Sequence, residues 1–124
     1  MKKFYLFLFI ALAWTISASA QVPAFPGADG YGRYTTGGRG GEVYYVTSLE
    51  DTDTPGTLRY GVTHLSKVTI LFKVSGTIQL NSSLNIRGSN ITIAGQSAPG
   101  DGICLAGYPV SVSGSNVIVR YMRF

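Results

Sequence analysis

The sequence predicts an all-β chain: the cap and first coils of a right-handed parallel β-helix, with one short capping helix. Three observations predict it. The unit Leu84–Ile93 recurs 26 residues later as Val110–Val119, and both copies read as a short strand, a Gly-Ser-Asn turn and a second short strand. A fixed period of this size is the signature of a stacked architecture. From Val68 onward the apolar runs are short, and Gly, Asn, Ser or Pro separates them. The turns between them are also not hairpin turns. An antiparallel sandwich, which suits many short strands too, should place Asn-Gly or Asp-Gly between alternating strands. The one such pair near the strands, Asp101-Gly102, lies in a long Gly/Pro loop.

Residues 1–20 read as a secretory leader. Lys2-Lys3 forms the positive end, Phe4 to Trp14 is an unbroken apolar run, and Ala18-Ser19-Ala20 gives the small-x-small pattern of a cleavage site. The expected cut falls between Ala20 and Gln21. A membrane span needs about 20 apolar residues, more than this run supplies, so export to the periplasm or the extracellular space is the expectation. Residues 21–124 then form the N-terminal portion of one β-helical domain.

Gln21 to Gly41 is rich in Gly, Pro and Tyr and predicts irregular chain with positive-φ positions. Glu42 to Thr47 is β-prone by composition. Ser48 to Gly56 is a polar loop. Leu58 to Leu65 predicts the helix: Thr57 can cap it, and Leu58, Val62 and Leu65 share one face. So short a helix must dock, and the open end of a sheet stack is the expected place. The strands that follow are Val68–Val74, Thr77–Leu80, Leu84–Ile86, Ile91–Ala94, Ile103–Leu105, Val110–Val112 and Val117–Phe124. In the stack, Asn90 and Asn116 occupy equivalent corners, where their amides can hydrogen-bond along the axis as a turn ladder. Gly88 and Gly114 are expected to make the bend, and Ile91 and Ile93 to lie against Val117 and Val119.

Composition narrows the function classes. Without Lys2 and Lys3 the formal charge falls from +4 to +2, which points neither to nucleic acid nor to a membrane surface. Cys104 is the only cysteine, so burial and backbone hydrogen bonds must hold the domain. Its apolar neighbours predict a buried, inert thiol.

Strong catalytic and metal motifs are absent. The Gly37–Gly41 run precedes a strand, so it lacks the helix N-terminus of a phosphate cradle. His64, the only histidine, has no evident nucleophile beside it and is expected on the helix surface. Asp51 and Asp53 could offer oxygens to Ca²⁺, but two carboxylates without a full loop pattern read better as a solvated loop. Asp101 reads as a turn former. Arg120 and Arg123, three apart in one strand, should point to opposite faces. Asn81-Ser82-Ser83 and Asn90-Ile91-Thr92 match the common glycosylation triplet.

An ordered set of segments carries a family resemblance. These are Thr35–Gly41, Thr57–Tyr60, Phe72–Ile78, Ile91–Ile103 and Asn116–Phe124. Together they resemble the N-terminal part of a secreted pectate lyase. The resemblance implies a β-helix that cleaves polygalacturonate, or a related acidic polysaccharide, by Ca²⁺-assisted β-elimination with an arginine as base. It implies a monomer when full length, with the Ca²⁺ carboxylates and the arginine beyond Phe124. On that reading the catalytic residues lie beyond Phe124, the substrate-binding residues are unknown, no metal residue lies in this chain, and Arg120 and Arg123 are not the base. The chain is expected to be a fragment, and residues 21–124 alone are expected to aggregate or stay partly unfolded, because a solenoid needs a cap at both ends. Two rivals share the fold: a non-catalytic carbohydrate-binding or surface module, and a polygalacturonase-like hydrolase working through paired carboxylates.

Overall fold

In the computed structural model, residues 20–124 are described, and every paired strand among them runs parallel to its neighbour. The leader lies outside the described residues, apart from Ala20. Ala20 and Gln21, at the expected cleavage point, are exposed and without regular structure. No helix among the described residues is long and apolar enough to cross a membrane.

The chain order is β1 (Glu42–Val46), α1 (Leu58–His64), β2 (Val68–Phe72), β3 (Gly76–Gln79), β4 (Leu84–Ile86), β5 (Ile91–Ala94), β6 (Ile103–Ala106), β7 (Val110–Val112), β8 (Val117–Arg120) and β9 (Met122–Arg123). From β2 onward consecutive strands do not pair. Each pairs with the strand one coil away, which builds three parallel sheets: β1-β2-β5-β8, β3-β6-β9 and β4-β7. This is the parallel β-helix that the repeat predicts.

Alternation along each strand turns one set of side chains inward. Ile70 pairs with Ile93, and Ile93 with Val119; Ile78 pairs with Leu105; Leu84 pairs with Val110. Ile70, Ile78, Leu84 and Ile93 are fully buried. Each such aliphatic side chain contributes about 1.5–3 kcal/mol by leaving water, so these columns supply most of the stability.

Helix α1 begins at the expected cap. Thr57 is extended and its hydroxyl accepts from the Tyr60 N–H at 3.3 Å. Leu58 and Val62 are buried, and the helix packs mainly on β4 and β1. Leu65 falls just outside it as an extended, half-buried residue.

The corners depart from expectation in three ways. The bend at each Gly-Ser-Asn turn is made by the asparagine: Asn90 and Asn116 have φ of 59° and 55°, whereas Gly88 and Gly114 do not enter the left-handed region. Asparagine tolerates that region because its short amide bonds locally. The glycines serve close approach instead. A Cβ on Gly114 would collide with the Gly88 carbonyl oxygen, and one on Gly88 would come within 2.7 Å of the Leu65 carbonyl oxygen. Second, Val117–Phe124 is two strands. Tyr121, at φ 55°, turns the chain between them, so that β8 pairs with β5 in one sheet and β9 with β6 in another. No glycine marks that corner, so the β-prone run hides it. Third, β2 stops at Phe72 and β3 starts at Gly76, which lies in its strand.

Residues 21–41 are irregular but closely seated. The Gly38 N–H donates to the Thr92 hydroxyl at 2.9 Å. Side chains on Gly37 or Gly38 would strike Thr92 and Ile118, or the Val68 backbone. The arm therefore lies against the outer face of the β1-β2-β5-β8 sheet, and the Gly-rich run is structural.

Candidate functional site

Polar side chains gather where α1 meets the first coil. The loop 47–57 carries Asp51 and Asp53 back past the helix, and one turn of α1 brings Arg59 to face them. Arg59 grips Asp51 with two parallel bonds, Nε to Oδ1 at 2.7 Å and Nη2 to Oδ2 at 2.8 Å. It also reaches the Ser82 carbonyl at 2.9 Å, while the Asn81 N–H donates to Asp51 Oδ2 at 2.7 Å. The Asp51 side chain is only 1% exposed. Burial pushes its carboxyl pKa up, but the Arg59 guanidinium and the Asn81 N–H outweigh burial and hold it below the ordinary value. Hydrogen bonding from Asp51 in turn raises Arg59. Asp51 is thus the centre of a buried lock, and the expectation of a solvated loop fails for it. The loop must close under the helix, and only a paired carboxylate can be buried there.

Asp53 stays at the surface. His64 Nε2 sits 2.8 and 3.0 Å from its two oxygens, and the His64 ring lies 4.7 Å from that of Tyr60. His64 is exposed on the helix, as expected. Below it the Tyr44 hydroxyl donates to the Thr57 carbonyl at 2.9 Å and accepts from the Gly56 N–H at 2.7 Å. Burial raises the Tyr44 pKa above its ordinary value. None of these hydrogen bonds involves a serine hydroxyl or a thiol. The cluster closes the first coil; it does not assemble a nucleophile with a base.

Calcium takes 6–8 oxygens at 2.3–2.6 Å. Both Asp51 oxygens already face a guanidinium and both Asp53 oxygens face His64, so these two carboxylates do not fit the ion. Among the described residues no group of three or more His, Cys, Asp or Glu could hold a metal.

The turn ladder forms. Asn116 Nδ2 donates to Asn90 Oδ1 at 3.1 Å, and the Ser115 and Ser89 hydroxyls lie 3.0 Å apart beside it. Asn81, the other triplet asparagine, donates its amide to the Asp51 carbonyl at 3.1 Å. Asp101 occupies the turn closed by the Gly102 N–H on the Pro99 carbonyl at 3.2 Å.

Cys104 corrects an expectation. It is half-buried and points outward from β6, because the inward positions belong to Ile103 and Leu105. It lies in register with Thr77 on one side and Arg123 on the other. Arg120 and Arg123 do not share a strand. Arg120 stacks over the Phe25 ring at 3.9 Å, which ties the irregular arm to β8.

Two features escaped the sequence. Arg59 stood out only as part of a motif, since no periodicity links it across a loop to Asp51. The packing of Phe25 and Gly37–Gly38 on the sheet left no signal except the glycines themselves.

Comparison with known proteins places this geometry. "Probable pectate lyase C" of Emericella nidulans is 42% identical over 115 residues, which is 92% of this chain and 27% of that protein. Its relatives are pectate lyases. "Pectate lyase 1" of Hesperocyparis arizonica is 46% identical over 72 residues, 56% of this chain and 19% of that protein. Among solved structures, jun a 1, the major allergen from cedar pollen, superposes with a TM-score of 0.64 at 35% identity, over 75% of this chain and 28% of that one. No family model matches. The chain spans about 27% of the length of the pectate lyases C that it matches, and its resemblance to pectate lyases runs through both sequence and fold.

Proposed function

We propose that this chain is the N-terminal portion of a secreted polysaccharide lyase that cleaves polygalacturonate by β-elimination. The observation that carries the reading is the likeness to pectate lyases over 92% of the chain, on parallel coils stacked in register. In such an elimination a base removes the proton next to the uronate carboxyl, the electron pair forms the ring double bond, and the glycosidic oxygen leaves. None of the groups described above performs that step here. The role of residues 21–124 is to seed the stack: α1 and the Asp51–Arg59 lock close the first coil, and the Asn90–Asn116 ladder sets the register on which further coils build.

The calcium requirement, the monomeric state and the export route belong to the same proposal. Calcium would be held by carboxylates other than Asp51 and Asp53. The test is incubation of the full-length secreted protein with polygalacturonate. An ultraviolet-absorbing unsaturated product, lost on adding a chelator, is the expected result. Products that are only saturated sugars would overturn the lyase reading in favour of hydrolysis.

A further inference from the structure

The irregular arm carries side chains that neither the stacking of coils nor the proposed elimination uses. Tyr31 stands wholly in solvent and Tyr34 is 40% exposed. Large aromatic surface left in water is a mark of a contact site. The arm that carries them is ordered. The Ala24 N–H donates to the Arg33 carbonyl at 2.7 Å, the Arg33 N–H to Gly30 at 3.2 Å and the Thr35 N–H to Gly32 at 2.9 Å. Gly27 and Gly30, at φ 81° and 75°, permit these turns. Phe25 under Arg120, and Gly38 on Thr92, fix the arm to the sheet.

Two hollows flank Tyr34. One, of about 400 Å³, is lined by Asp29, Gly30, Tyr31, Arg33 and Tyr34. The other, of about 280 Å³, brings Tyr34 together with Gln21, Val22, Thr36 and Arg39. Each hollow holds one arginine. The Arg33 guanidinium lies 4.7 Å over the Tyr34 ring, and Arg39 Nη2 donates to the Pro23 carbonyl at 2.9 Å. Among the described residues neither arginine has an ion-pair partner.

We infer that this arm is a binding site for an acidic polysaccharide, an inference that rests on the substrate class proposed above. The chemistry matches part by part. A tyrosine ring offers a flat apolar face to the C–H face of a pyranose. A guanidinium offers paired donors to the carboxylate of a uronate. Asp29, whose Oδ1 accepts from the Gly30 N–H at 2.7 Å, keeps acceptor capacity for sugar hydroxyls. Two arginines on either side of one tyrosine suit a chain that carries a carboxylate on each ring; a neutral glucan would leave them without a role. Because the loop is already ordered, binding loses little conformational entropy.

The test is affinity electrophoresis of the full-length protein through gels containing polygalacturonate, with a chelator present to stop cleavage. The wild type should be retarded, and Tyr31→Ala should weaken binding about tenfold. Tyr31 is fully exposed, so this change leaves folding intact, and Tyr31→Trp should restore retention. The Arg33→Gln/Arg39→Gln pair should also lose retention, and what remains should depend less on salt. Turnover of a short soluble oligogalacturonide should be unchanged in all three. Equal retention of Tyr31→Ala and wild type would overturn the inference, as would equal retardation in a gel of neutral hydroxyethylcellulose. The two readings fail separately: retention without unsaturated product defeats the lyase alone, and product with retention indifferent to Tyr31 defeats the arm site alone.

Discussion

In the first coil, β1 and α1 are joined to the stack through the Asp51–Arg59 pair, the Tyr44 hydroxyl and the carbonyls of loop 47–57. In the coils after it, β4 to β8 meet one another through aliphatic columns, backbone contacts and uncharged side-chain bonds such as Asn116 to Asn90, with no charged pair between them. The difference follows from geometry. Repeated coils present matching apolar columns, so burial and the uncharged Asn90–Asn116 ladder set their register without a charged pair. A helix laid on a strand coil has no such match. Apolar contact from Leu58 and Val62 holds it there, but a directional, bidentate pair fixes where it sits.

Removing one half of the lock is the strongest test of that contrast. Arg59→Ala leaves the Asp51 carboxylate buried without its partner, and unfolding free energy should fall by about 3 kcal/mol. Denaturant unfolding of wild type, the single variant and the Arg59→Ala/Asp51→Asn double variant measures it. The double variant should recover part of the loss. If Arg59→Ala unfolds at the same denaturant concentration as wild type, the first coil is held by apolar contact alone and the contrast disappears.

The later coils break differently. Gly114→Ala puts a Cβ into the Gly88 carbonyl, and neither backbone can yield without parting the two coils. A loss of about 2 kcal/mol is expected, the ordinary cost of overpacking. Gly102→Ala is the control: unlike Gly114 it lies at positive φ, and a Cβ there meets nothing within 4 Å, so its cost is conformational only. Equal losses at the two sites would mean that close stacking is not what Gly114 provides. A smaller effect is expected at the ladder. Asn116→Ala removes one hydrogen bond and places alanine in the left-handed region, for about 1–2 kcal/mol. Asn116→Gly keeps the turn and loses only the bond, so it should be the milder of the two in thermal melts.

These contrasts also explain what could be read from the chain. Leu84–Ile93 and Val110–Val119 announced the stack because repetition is written along the sequence, and the observed register pairs Ile91 with Val117 and Ile93 with Val119 as the repeat requires. Thr57 announced its helix because an N-cap acts within three residues. Asp51 and Arg59 announced nothing. Their pairing depends on a loop of irregular path, and the same two residues in a solvated loop would look identical. The turn at Tyr121 was hidden for the opposite reason: one left-handed residue inside a valine-rich run leaves the β pattern unbroken. The outward cysteine and the seated arm are likewise matters of phase and packing. Cys104 lies between two core residues in sequence and so shares their apolar context, though not their face.

Acid separates the lock from the columns most sharply in sign. The Asp51 carboxyl titrates below its ordinary value in the folded chain, so the folded state holds fewer protons than the unfolded state across that window. Its stabilising effect is complete above the unfolded carboxylate pKa of about 3.9 and is lost as pH falls through the folded value. In Arg59→Ala the lowering partner is gone and burial dominates, which raises the folded pKa of Asp51 above the unfolded one. That variant should therefore gain stability on mild acidification, down to the unfolded pKa. Wild type should hold steady there and lose stability only below it. Gly114→Ala, which touches no titrating group, should follow the wild-type profile at a constant offset. Melting temperatures of the three chains between neutral pH and pH about 3 would show this. Parallel curves for all three would mean that the charge on Asp51 does not hold the first coil.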